Sequence, residues 1–202
     1  MCGRFETKPS IQSLVRPLIR QNIDLEPELN LEPVLKPTKF TNIAPTNKIL
    51  SITYNDRSYK LSQTNWGIKF SAGSPLIFNS RIETIKEKKF WLSLFEKNRL
   101  LAPMSAFYEW KKEGTKKIPY RIFLRDEEIF LFPPFYHIDK DKNIFSSLIT
   151  ASPNDFIKPI HHRIPVILKI NEAINYLIDD PDANISKCQP YSDKMQMEPA
   201  SI

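Results

Sequence analysis

KILSITYNDRSYKLSQTNWG, residues 48–67, alternates apolar and polar side chains in two arms around Asn55-Asp56-Arg57. Period-two alternation gives each arm one face for a core and one for water, so 48–54 and 58–66 read as a β-hairpin ending at Trp66-Gly67. Outward from it, the pattern predicts strands at 99–103, 106–111, 119–124, 128–132, 145–151 and 163–168. A helix is expected from Thr84 to Asn98, where Ile85, Trp91, Leu92, Leu94 and Phe95 are spaced between lysines, and a short one at 171–178. The strands arrive without a repeating strand-helix alternation. The fold class expected is therefore α+β: a single domain around a mostly antiparallel, curved or barrel-like β-sheet with peripheral helices.

Toward the N-terminus, Ser10 can cap a helix whose apolar positions Ile11, Leu14, Val15, Leu18 and Ile19 form one stripe, with Pro17 on the polar side shortening it. Prolines and charges from Leu25 to Thr41 read as an extended surface segment. The chain from Asp180 onward is polar and proline-containing, and 191–202 is expected to be a flexible tail beyond a domain spanning 1–190.

The 202 residues suffice for one domain with a substantial core, and no composition shift divides them. No apolar run approaches the ~20 residues that cross a bilayer, and no secretory pattern opens the chain, so a cytoplasmic protein is expected, nucleoid-associated if bacterial. Two cysteines, Cys2 and Cys188, are too few for a disulfide framework. The net charge of +6 favours polyanionic partners without specifying one.

Four short clusters carry the chemistry. In MCGRF (1–5), trimming of the initiator methionine before a small side chain would leave Cys2 with a free α-amine beside its thiol, a 1,2-aminothiol. Reference pKa values of about 7.7–8.0 for the amine and about 8.5 for the thiol leave both nucleophiles usable near neutrality. Amine attack on an aldehyde gives a Schiff base, and thiol addition closes a thiazolidine. The bland reading makes Cys2 a small buried hydrophobe.

In FNSRIET (78–84), Asn79 and Arg81 are two apart and share a face of any extended segment, an amide and a guanidinium suited to sugar and phosphate; a solvated edge strand is the alternative. In FYEW (107–110), Glu109 sits among aromatic residues, where desolvation raises a carboxyl pKa toward the range of acid-base work, unless an ion pair occupies it. In IHHRIPVIL (160–168), adjacent His161 and His162 precede a β-branched strand, so alternate facing is expected to turn one inward and one outward; a histidine satisfied by backbone is the ordinary alternative. Alternate facing and the lack of ligand spacing argue against a metal site.

Together with NIAPT (42–46) and WG (66–67), these blocks in this order resemble the SOS-response-associated peptidase (SRAP) family over nearly the whole chain. The resemblance implies a protein that crosslinks itself to abasic sites in single-stranded DNA through a thiazolidine on the mature N-terminal cysteine. It also implies removal of its own methionine; Schiff-base lyase side activity, no cofactor and action as a monomer are expected alongside it. By motif, the family's catalytic residues fall on Cys2, Asn79, Glu109 and His161, with Arg4 and Arg81 toward phosphates. Trp110 or Trp66 is expected to support or stack on a base, a buried structural role being the alternative for each. IKFSAGSP (68–75) lacks the family's proline and second tryptophan, and Phe70 is expected to substitute. Two other classes remain open: an N-terminal-nucleophile peptidase or amidohydrolase using the Cys2 thiolate, and a non-catalytic module that binds DNA by charge alone.

Overall fold

Strand β10 (Ile144–Ala151) organises the sheet that carries the site, because it changes neighbours along its length. Its first half pairs antiparallel with β9 (Phe135–Ile138) and parallel with the end of β3 (Ser58–Trp66). Its second half pairs parallel with β4 (Asn79–Arg81) and antiparallel with β11 (Ile164–Pro165). β3 continues into the hairpin with β2 (Lys48–Asn55), in register from Lys48↔Asn65 to Asn55↔Ser58. These are six strands of one sheet. The computed structural model describes residues 2–7, 41–55, 58–192 and 194–202. The expected Ser10 helix, nearly all of the 25–41 segment, and Asp56 and Arg57 of the turn lie outside them.

A second, four-stranded sheet runs β1 (Arg4–Glu6), β6 (Ala106–Glu113), β7 (Lys116–Leu124), β12 (Met195–Pro199), all antiparallel. A third is the pair β5 (Ala102–Met104) and β8 (Phe130–Phe132). The fold class is α+β, as expected, and mostly antiparallel, but its sheets do not close into a barrel. Among the described residues the parallel contacts are those of β10 with β3 and β4.

The core forms where the sheets meet. Phe5, fully buried, packs its ring 5.0 Å from Trp66 and 6.4 Å from Phe132. Burial of such a side chain stabilises by roughly 1.5–3 kcal/mol, which anchors the first residues firmly. Main-chain bonds between Phe5 and Ile43, of 3.1 and 2.9 Å, join the MCGRF and NIAPT motifs. Glu6 adds a polar tie, accepting from Tyr108 Oη at 2.6 Å and from Arg121 at 2.6 and 2.8 Å. A buried hydroxyl ladder, Ser51–Thr64 at 2.8 Å and Thr64–Ser146 at 3.2 Å, crosses β2, β3 and β10 without leaving those groups unsatisfied. Gly67 has φ +120, and a Cβ there would meet Leu76 at 2.7 Å, so the WG step needs glycine.

Several expectations are corrected. The helix expected over 84–98 is two, α1 (Ile82–Glu87) and α2 (Lys89–Lys97), separated by extended Lys88, whose N–H still caps Thr84 O. The strand expected at 163–168 is formed at Ile164–Pro165, opposite Thr150 and Ala151 of β10, and Val166 N–H adds a bond to Ile149 O at 2.9 Å. β9 was not expected. Helix α3 (Ile170–Ile178) matches the expected 171–178, and a further helix, α4 (Pro181–Lys187), follows in the polar stretch after Asp180. Asp180 caps α4 by accepting from Asp182 N at 2.9 Å, with Pro181 preset in its first turn.

Within the stretch expected to be a flexible tail, Met195–Pro199 pairs along the β7 edge from Met195↔Leu124 to Pro199↔Tyr120. Met195 is buried, and Glu198 pairs with Arg121 at 3.1 Å. An open edge next to a polar strand supplied the partner that sequence alone does not show. No helix among the described residues is long and apolar enough to cross a membrane.

Candidate functional site

Cys2 lies just before β1, held by Phe5 in the core and by the pairing Arg4↔Tyr108. It is buried, at 1% exposure, with Sγ 3.5 Å from Arg4 O. Burial, reinforced by the negative charge of Glu109, pushes its thiol well above the usual range, so the resting group is a thiol. Asn79, first residue of β4, donates from Nδ2 to Cys2 O at 2.7 Å. Its Oδ1 is buried and has no hydrogen-bond partner, an acceptor left over in the site.

Glu109 is fixed in the middle of β6, one residue past Tyr108, and is 2% exposed. Burial pushes its carboxyl up to about 7. A carboxyl near 7 can both give and take a proton at neutral pH. His161 Nδ1 stands 3.9 Å from Glu109 Oε1. Burial lowers the His161 pKa to about 4, so the ring is neutral at physiological pH. The four residues named as catalytic from the sequence thus gather from the segment before β1, from β4, from β6 and from the loop before β11.

The other expected residues divide. Ser80 turns into the sheet while Arg81 is exposed beside Asn79, in keeping with the shared face expected of 79 and 81. Arg4 is half-buried and bonded through Nη1 to Asn42 Oδ1. Trp110 is half-buried beside Pro119. Trp66 is a correction: it is wholly buried, and its Nε1 donates to Phe78 O at 2.8 Å, so its surface is spent on the core and offers no face to a base. Phe70 is 43% exposed and abuts Phe90, Trp91 and His137 at 5.5, 5.9 and 5.1 Å.

His161 is the inner histidine and His162 the exposed one, but the two do not face apart. They lie in a loop and not in a strand, and their rings stack at 4.3 Å and 31°. Among the described residues no three of His, Cys, Asp or Glu gather closely enough to hold a metal ion.

The profile of the family described as SOS response associated peptidase (SRAP) matches residues 1–202. This chain belongs to the SRAP family. Similar SRAP relatives include YoqW of Bacillus subtilis, named an abasic site processing protein, 31% identical over 205 residues, covering 95% of this chain and 88% of that one. YedK of Escherichia coli, which carries the same description, is 28% identical over 88% of this chain and 79% of its own. A solved protein of Bacteroides thetaiotaomicron superposes with a TM-score of 0.78 at 25% identity, over 99% of this chain and 92% of that one.

Two residues of the SRAP motifs that sequence reasoning passed over prove to be joined. Arg163, from the histidine motif, reaches Glu83, from NSRIET, with Nη1–Oε1 at 3.0 Å and Nη2–Oε2 at 2.7 Å. The signal available was their place inside motifs already singled out. Opposite charges in two separated motifs do not show that they meet.

Proposed function

We propose that this chain captures abasic sites in single-stranded DNA through a covalent link to Cys2. The observation that carries the reading is that Asn79 donates to the Cys2 carbonyl at 2.7 Å while Glu109, a buried carboxyl raised to about 7, acts electrostatically on the Cys2 thiol. The relatives' description as abasic site processing proteins supports the same substrate.

In the full sequence Cys2 follows Met1, so its amine becomes a nucleophile only after Met1 is removed. The freed amine attacks the aldehyde carbon of the ring-opened sugar to give a carbinolamine. Protonated Glu109 gives its proton to the departing hydroxyl, water leaves, and a Schiff base remains. The Cys2 thiol then adds sulfur to the same carbon while its proton passes to Glu109, closing a thiazolidine. Aldehyde and aminothiol are consumed, one water is released, and Glu109 ends in its starting state.

This order suits a thiol held protonated by burial, because the amine acts first. The alternative, an N-terminal-nucleophile peptidase or amidohydrolase, needs the thiolate at its first step. Asn79 orients Cys2, Arg4 and Arg81 contact flanking phosphates, and Phe70 and Trp110 meet bases.

The test is intact mass and a denaturing gel after incubating mature protein with single-stranded DNA carrying one abasic site. An adduct at the sum of the masses less one water is expected. No Cys2-dependent shifted band would reject the reading, and turnover of amide substrates without DNA would favour the alternative.

A further inference from the structure

The His161 ring is gripped by the residue two positions on. The Arg163 main-chain N–H donates to Nδ1 at 3.0 Å, while the Arg163 carbonyl oxygen lies 3.2 Å from the same nitrogen. These contacts ask opposite things of Nδ1, a lone pair for the amide and a proton for the carbonyl. An amide N–H can only donate, and its contact is the shorter. It therefore decides the matter: Nδ1 keeps its lone pair, and the proton of the neutral ring sits on Nε2.

The Arg163 amide is held in place by its own side chain. The guanidinium is nearly buried, spans the end of β10 by donating from Nη2 to Thr150 O at 2.7 Å, and clasps Glu83 of α1 through two bonds. β4 and β11 flank this same end of β10, with Thr150 opposite both Arg81 and Pro165. The bidentate pair therefore ties the loop carrying His161 to the helix that begins directly after Arg81, with more geometric definition than a single bond.

We propose that Glu83 and Arg163 are positioning residues that fix His161 as the neutral Nε2–H tautomer, making it a hydrogen-bond donor of set direction and leaving proton transfer to Glu109. A neutral imidazole N–H polarises an oxygen without surrendering its proton. This division matches a histidine kept neutral by burial beside a carboxyl that titrates near neutrality. The effect on rate rests on the crosslinking reading above, whereas the tautomer does not.

The experiment uses the full chain labelled with 15N-histidine, near pH 7 and without DNA, read by two-bond 1H–15N correlation. Three histidines keep the assignment simple. The wild type should show His161 protonated on Nε2, and Glu83→Ala should give a mixture of tautomers. With abasic DNA, Glu83→Ala should lower the initial crosslinking rate by about tenfold, the size of one charge-assisted hydrogen bond.

Glu83→Gln, which keeps an acceptor for the guanidinium, should recover part of both effects, and Glu87→Gln, exposed on the same helix, should change neither. Because Glu83 is half exposed, its variants should remain folded, which a melting curve checks. A wild-type ring protonated on Nδ1, or Glu83→Ala with unchanged spectrum and rate, overturns the proposal. The expected spectra in a wild type that forms no adduct would instead overturn the crosslinking reading and leave the tautomer assignment standing.

Discussion

Asn79 Nδ2 lies 2.7 Å from the carbonyl oxygen of Cys2, a bond between residues 77 apart in sequence that joins the segment leading into β1 of one sheet to a short strand of another. Asn79→Ala removes it at a site held otherwise by Phe5 and β1 pairing. Stability should fall by about 0.5–1.5 kcal/mol, the usual worth of one hydrogen bond. Adduct formation should fall further, because the amine of Cys2 loses its set direction. Melting curves and a gel time course on the same preparation separate the two losses; equal adduct rates in variant and wild type would count against orientation by Asn79.

Cys2 offers two nucleophiles, and removing one should redirect the chemistry. In Cys2→Ala the α-amine, once exposed, still forms the Schiff base, which acidifies the neighbouring sugar proton and permits β-elimination. Stable adduct should disappear while strand cleavage persists or rises. Glu109→Gln should slow capture itself by about 10²–10⁴-fold, the span of general acid-base catalysis. A time course resolving adduct from cleaved strand reads both. Full stable adduct from Cys2→Ala would show that sulfur is not the trapping atom.

The paired shifts at Glu109 and His161 act on stability in opposite directions. Glu109 is raised to about 7 from its ordinary 4.5, so the folded state binds the extra proton between those values, and stability declines as pH rises through that window. His161 is lowered to about 4 from 6.5, so the unfolded state binds the extra proton, and stability declines as pH falls through that window. Across the shared range, about pH 4.5–6.5, the two slopes oppose each other. Glu109→Gln should expose the histidine slope, giving a variant whose stability climbs more steeply with pH there than the wild type does. Urea melts at intervals across the range measure it; parallel profiles would show that Glu109 titrates normally.

Trp66 and Phe70 sit four residues apart and should fail differently. Trp66→Ala removes a fully buried ring and its bond to Phe78 O, and should cost about 3–5 kcal/mol of stability. Phe70→Ala, at an exposed ring, should leave the melting curve nearly unchanged and weaken single-stranded DNA binding by about 1–3 kcal/mol, the range for one stacked base. Denaturant melts and fluorescence anisotropy distinguish them. Undiminished DNA affinity in Phe70→Ala would remove Phe70 from the contact surface.

The sequence by itself determined the hairpin at 48–66, strands β6, β7 and β10, and the expectation that Cys2, Asn79, Glu109 and His161 belong to one site. Alternation with period two is a local property, and one buried face suffices to write it into the chain. What the tertiary structure decided are features that depend on a partner far away in sequence. The stretch at 195–199 became β12 because β7 had an edge to fill, and the strand expected at 163–168 shortened to Ile164–Pro165 against the end of β10.

Trp66, whose motif suggested a surface role, became core because Phe5 and Phe78 close over it. The histidines stack because their loop leaves the strand conformation that would have set them apart. The joining of Glu83 to Arg163 across the end of β10 was invisible for the same reason: charge and motif are written locally, but two strands 80 residues apart must first pair with one β10 before a guanidinium and a carboxylate can meet.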